Sequence, residues 1–258
     1  MARGEVLATE LEAGVRNRAV RVSFLVGFAI ASWLVVSAGS KTAAGAGEGS
    51  LVDSGTFTVF KNGQRIATET FRVRQRSDYS VTTSDLKLED GSAQSSELQL
   101  WPNGDLRKYV WREVSPDRAQ YVLEPGDQIL MQHIRLRDEK PQDLPYILPP
   151  STIVLDDYFF VHRELLAWRY LASGCIKGQT ACQLPKAQLG IIVPRQHTPA
   201  TVTMEYVGQE KVRIRGTEQE LSRFNLKNDD QEWQLWLDDH HKLVRILIAA
   251  ENAEVLRD

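Results

Sequence analysis

Tight-turn dipeptides recur at hairpin spacing from residue 51 onward, and they constrain the fold more than any other feature of the chain. Asn62-Gly63 separates Thr56–Phe60 from Arg65–Arg74. A type I′ turn needs positive φ at both central positions, and Asn-Gly supplies it at little steric cost. Asp90-Gly91, Asn103-Gly104, Pro125-Gly126-Asp127 and Asp238-Asp239-His240 punctuate the chain in the same way. Strand-like runs lie among them: Leu98–Trp101, Leu106–Trp111, Gln120–Glu124, Ile129–Leu136, Leu189–Val193, Thr201–Val207, Lys211–Arg215, Gln231–Leu237 and Leu243–Ala249. Alternation is visible at Trp233/Leu235/Leu237 and at Val244/Ile246/Ile248, the period of a half-buried strand. About a dozen short strands, with no internal repeat, predict a mainly β fold. The expected form is one highly curved antiparallel sheet or open half-barrel; a two-sheet sandwich is the alternative.

One segment breaks the rhythm. Within Asp156–Leu171, Tyr158, Val161, Leu165 and Trp168 recur at three- and four-residue steps, one face of a helix. Asp156 or Asp157 is placed to cap its N-terminus. Phe159, Phe160, Leu166 and Tyr170 widen the apolar surface, so the helix must be largely buried against or inside the sheet. Pro141, Pro145, Pro149 and Pro150 precede it and predict an extended crossing segment, neither strand nor helix.

Residues 22–40 run nineteen positions without a charge, between Arg21 and Lys41. Arg16, Arg18 and Arg21 mark the cytoplasmic side. Ala44-Gly45-Ala46 fits a secretory cleavage pattern, and Val36-Ser37-Ala38 offers an earlier one. The run is also close to a full membrane span. Residues 1–46 therefore read as a cleaved signal or a retained anchor with a small-residue linker. Residues 47–258 read as one β-rich domain outside the cytoplasm, periplasmic or secreted. In that setting Cys175 and Cys182 are expected to form a disulfide across a short loop. Residues 1–46 hold five of the 31 basic and three of the 34 acidic groups. The remainder has 26 against 31, a net −5, which excludes bulk nucleic-acid binding and argues against adhesion to anionic lipid. On this reading a membrane contact comes only through residues 22–40, if they are retained.

Motifs for catalysis are weak. Asp53-Ser54-Gly55 matches the aspartic-protease signature, but that chemistry needs two facing carboxyls and one copy is present; a turn before the first strand is the simpler reading. Asp238-Asp239-His240-His241 has metal-ligand composition but the spacing of a polar hairpin tip. His162 is a candidate base without a nucleophile, more simply a core histidine. No nucleotide loop or hydrolase motif occurs, so no cofactor, metal or catalytic residue is expected.

The strand pair Gly55–Ile66, the central Leu155-Asp156-Asp157 and the closing hairpin Leu235–Ile246 together resemble exported bacterial β-rich proteins of unknown function. The sheet is similar to the half-barrel of the lipoprotein-localisation carriers (LolA/LolB-like). The resemblance implies an unclosed barrel holding a hydrophobic helix or ligand, and it carries over no catalytic residues. The expected function is a non-catalytic carrier for a lipid chain or hydrophobic peptide. Pocket candidates are Tyr158, Phe159, His162, Leu165, Trp168, Arg169, Trp233 and Trp236, with Arg163, Arg169 or His162 at the mouth. The alternative is an envelope assembly factor whose core is filled and whose partners are proteins; a hydrolase is a third reading.

Overall fold

The computed structural model describes residues 49–174 and 186–258. Gly49–Asp258 forms a single compact unit. The uncharged run 22–40 and both cysteines lie outside the described residues, as does the expected disulfide. Among the described residues, no helix is long and apolar enough to cross a membrane.

Fifteen strands form one sheet. The first eight are β1 (Ser50–Lys61), β2 (Gln64–Gln75), β3 (Ser80–Leu88), β4 (Ala93–Leu100), β5 (Leu106–Ser115), β6 (Ala119–Pro125), β7 (Leu130–Leu136) and β8 (Gln142–Tyr146). β9 (Ile153–Val154) and helix α1 (Val161–Gly174) follow. Then come β10 (Ala187–Val193), β11 (Thr198–Ile214), β12 (Thr217–Lys227), β13 (Glu232–Leu237), β14 (Leu243–Ile248) and β15 (Ala253–Arg257). The sheet order runs β8 back to β1, then β15 back to β9. β1 and β15 pair antiparallel, with Val59 opposite Val255, so the chain's two halves join along a central ladder. Among the described residues only β9 pairs parallel, with β10.

The predicted turns explain the hairpins. Asn62 and Gly63 both take positive φ, 54° and 76°, as type I′ geometry requires. The predicted runs 201–207 and 211–215 are one long strand, β11, kinked by a register shift between Tyr206 and Gly208. Gly208 sits there at φ 143°, a bulge conformation open to glycine. The proline segment contains a strand after all. Pro145 pairs with Met131 in β8, which is tolerable because β8 is a sheet edge, where a missing N–H need not face a neighbour.

One apolar core fills the concave face, drawing on Phe57, Phe71, Tyr109, Leu123, Phe159, Leu166, Met204, Phe224, Leu235 and Ile246. α1 lies within it. A second cluster of Val212, Ile214, Leu221 and Trp236 is separate, with Val244, Leu247 and Leu256 against it. It joins the β11–β12 hairpin to the opposite face of β13–β15.

The edges β8 and β9 do not pair with each other. Isolated hydrogen bonds bridge the gap instead. Gln132 of β7 donates from Nε2 to the carbonyl of Pro194 (2.8 Å) and accepts from the Tyr146 hydroxyl (2.8 Å). Leu106 donates its N–H to the Pro150 carbonyl at 3.1 Å. Gln132 is fully buried, so truncating it strands two partners. Gln132→Ala is expected to cost about 2 kcal/mol, read from the denaturation midpoint. It should also speed amide exchange in β8. A cost below about 0.5 kcal/mol would mean that the seam does not depend on it.

Candidate functional site

The chemistry gathers where α1 enters the interior. The helix begins at Val161, five residues after the first predicted cap. Asp156 does not cap it, because its carboxylate is engaged elsewhere. The cap comes from the sheet: Glu69 of β2 accepts the N–H of Phe160 (2.7 Å) and of Val161 (3.4 Å). Its Oε1 also accepts from the Ser84 hydroxyl at 2.7 Å. A carboxylate at a helix N-terminus complements the dipole. Burial nonetheless pushes the Glu69 pKa up to about 7, against those hydrogen bonds, which favour the anion. The sequence carried a signal for it. In Ala67/Glu69/Phe71/Val73 a glutamate occupies the inward register of an alternating strand.

Asp156 is fully buried and links three elements. Its Oδ2 accepts from Tyr109 of β5 at 2.7 Å. Arg195, in the turn after β10, donates to both oxygens at 2.8 to 3.2 Å. Oδ1 also takes the Tyr158 N–H at 3.1 Å. Burial is the largest influence and works against the charge, yet Arg195, His162, the Tyr109 hydroxyl and the Tyr158 N–H together outweigh it and hold the carboxyl below its usual range.

Three consecutive ionisable residues then face the interior, His162, Arg163 and Glu164, at 1%, 2% and 0% exposure. His162 Nδ1 accepts the Asp156 N–H at 3.2 Å, so in the neutral ring Nε2 carries the proton. Burial pulls its pKa down to about 4. Arg163 donates to the Asp156 carbonyl (3.4 Å) and lies over the Phe160 and Trp233 rings, 5.3 and 5.4 Å from their centroids. Glu164 Oε1 accepts from the Leu243 N–H at 3.2 Å and from Arg257 at 3.4 Å. Each of the three keeps one buried polar atom without a partner: His162 Nε2, Arg163 Nε and Glu164 Oε2.

Glu164 also faces Asp53. Burial pushes Glu164 up to about 8, and the neighbouring Asp53 charge adds to the rise against the pull of Arg257. Asp53 is held low: burial opposes its charge, but Lys242 and Arg257 prevail. Lys242 Nζ is 2.7 Å from Asp53 Oδ1, and Arg257 Nη2 is 2.8 Å from both oxygens. Asp53 is thus not in a turn before the first strand but inside β1, facing a second carboxyl. The pair resembles a protease dyad in its split ionisation. Both side chains are buried, at 1% exposure or less.

The predicted pocket residues divide. Phe159 and His162 are buried in the main core, with Trp233 beside them; Tyr158, Leu165 and Trp168 are partly buried against it. Tyr158 lies under the Arg195 guanidinium, 3.4 Å from its ring centroid. Trp168 donates to the His241 carbonyl at 2.6 Å. Arg169 sits at the rim, donating to the Gly104 carbonyl at 2.7 Å. Trp236 does not belong with them; it packs in the second cluster on the opposite face. Of the three residues expected at a mouth, Arg163 and His162 are deep inside. At the β13–β14 turn, Asp238, Asp239 and His240 bring ligand atoms within 4.8 Å of one another. Asp238 Oδ1 is already engaged by the His240 and Lys242 N–H groups, the pattern of an Asx turn.

No family model and no curated protein matches the chain. Among solved structures it is similar to a β-barrel-like protein of domain of unknown function DUF1849 from Brucella abortus. The TM-score is 0.49 and the identity 7%, over 80% of this chain and 94% of that one.

The site sets a pH dependence. Glu69 and Glu164 have raised pKa values in the fold, so the native state binds their protons more tightly than the unfolded chain. Their stabilisation is complete below the ordinary glutamate pKa and is lost as pH rises through about 7 and about 8. His162 acts oppositely, its contribution falling as pH drops from 6.5 towards about 4. Two raised carboxyls outweigh one lowered imidazole over this interval. Asp53 and Asp156, held low, lose their contribution only below the ordinary aspartate range. Denaturant midpoints should therefore be higher near pH 5 than near pH 8.5, with Glu164→Gln flattening the slope. A midpoint that rises across this interval would contradict the assignment.

Proposed function

We propose that this protein is an extracytoplasmic carrier for an apolar moiety, a lipid chain or a hydrophobic peptide. The moiety is held on the concave face by burial of apolar area. α1 occupies that face and yields part of it when the ligand enters. The observation that supports this reading is the seat of α1. A helix meant only to fill a core would be cheapest if apolar, since buried ionisable groups with unmet hydrogen bonds cost free energy. Here three consecutive residues carry that cost at the point of attachment. The seam beside it is joined by isolated hydrogen bonds, from the Gln132 side chain and the Leu106 N–H, which part more readily than a backbone ladder. The uncharged run 22–40 supports export.

A second reading is an envelope assembly factor acting through protein partners. It draws on the completeness of the packing: Phe159, Val161 and Ala167 are fully buried.

Native mass spectrometry separates the two, on residues 47–258 exported to an oxidising compartment and purified without detergent. The carrier reading predicts a reproducible added mass that organic extraction identifies as a lipid or apolar peptide. The bare polypeptide mass in repeated preparations would overturn it in favour of the second reading.

A further inference from the structure

One rim of the sheet collects features that the interior does not use. The register aligns Leu51 with Arg74, Gln75 with Ser80, Ser80 with Leu100, and Leu100 with Leu106. The ends of β1 to β5 therefore lie side by side, and the turns 76–79 and 101–105 project from the same edge. β7 begins and β8 ends there too, with Leu130 opposite Tyr146. The chain then crosses back to place the Pro150 carbonyl on the Leu106 N–H.

Six large apolar side chains are exposed among the described residues, and four lie on this rim: Leu51, Val52, Trp101 and Ile147. Ile147 is 92% exposed. Between them stands a cation–aromatic stack. The Arg107 guanidinium lies 4.0 Å from the Tyr79 ring centroid and 5.1 Å from that of Trp101. Arg76 also approaches the Tyr79 ring, at 5.5 Å from its centroid. Scattered apolar exposure needs no explanation, but apolar side chains grouped on one edge with Trp, Tyr and Arg do. This is the composition that suits a bilayer interface, where amphipathic rings sit at headgroup depth and arginine meets phosphate.

Chain length points the same way. The described chain starts at this rim, at Gly49, and eight residues, 41–48, separate it from the uncharged run 22–40. At about 3.3–3.6 Å per residue, that stretch reaches about 30 Å at most. In a chain that keeps the run in a membrane, the rim cannot stray far from the bilayer, and a weak surface affinity suffices to hold it there. We infer that this rim, built on Leu51, Val52, Tyr79, Trp101, Arg107 and Ile147, docks on a phospholipid bilayer surface. Asp78, Asp105 and Asp127 share its turns, so docking rests on shallow insertion and arginine–phosphate pairing rather than on bulk positive charge. The net −5 of residues 47–258 is no obstacle to a contact of that kind. The inference does not depend on the carrier reading.

The test uses the full chain reconstituted in vesicles of equal parts phosphatidylcholine and phosphatidylglycerol. Subtracting the emission of Trp101→Phe from that of the unsubstituted protein isolates Trp101 from the other tryptophans. Docking predicts that this difference signal is quenched by lipid brominated near the headgroup and shielded from aqueous iodide. Leu51→Ser combined with Ile147→Ser should reverse both effects while circular dichroism stays unchanged. A Trp101 signal quenched by iodide and untouched by brominated lipid would overturn the inference. So would a lipid-quenched signal that the double variant leaves unaltered. An apolar ligand in the native mass spectrum together with a water-exposed Trp101 would refute the docking and leave the carrier intact.

Discussion

The contact of Asp156 with Arg195 and Tyr109 is the interaction on which the rest of the interior depends. Tyr109 belongs to β5 and Arg195 to the turn after β10, one on each side of the unpaired seam. The same residue's N–H goes to His162 and its carbonyl takes Arg163. One aspartate thus ties both flanks of the sheet to the first turn of the helix. A charge buried this deeply is tolerable because a guanidinium, a phenol and a backbone N–H all satisfy it. Losing any one of them would leave an underpaired anion in the core.

From that anchor the helix seat follows. Glu69 replaces the local cap that Asp156 can no longer provide, so the start of α1 is set by the sheet and not by its own flanking sequence. Glu164 then meets Asp53 and Arg257 at the β1–β15 junction, where the chain's two halves join. α1 is therefore tied at its N-terminal end by groups whose ionisation the interior perturbs. Its remaining length packs Leu166, Ala167 and Tyr170 into the apolar core, and Trp168 and Arg169 tie it to the His241 and Gly104 carbonyls. The two kinds of attachment respond differently: apolar packing is indifferent to pH, and the polar seat is not.

Much of the architecture was legible because turn chemistry is local. Asn62-Gly63 announces its own φ values, and the hydrophobic periods on either side fix strand against helix. β3 escaped notice because its inward positions include Thr82 and Ser84, which break the apolar alternation. β15 is short and carries only Ala253 and Val255 as fully buried positions. The site was harder to read. Asp156 looks like an N-cap until Arg195, 39 residues away, claims its carboxylate. Trp233 and Trp236 share a residue type and a strand, but three positions along that strand place them on opposite faces. Glu69 was recoverable from parity alone. The Glu164–Asp53 pairing, which joins positions over a hundred residues apart, was not.

The central claim is that α1 is seated less firmly than the sheet that holds it. Site-resolved amide exchange tests this directly, comparing α1 with β13–β15 near pH 5 and near pH 8.5. The account predicts that residues 161–174 open at a lower free energy than the strands. The gap should widen with pH, after correction for intrinsic exchange rates, as Glu69 and Glu164 ionise. Helix amides that exchange only through the same global unfolding as the strands, at both pH values, would contradict it.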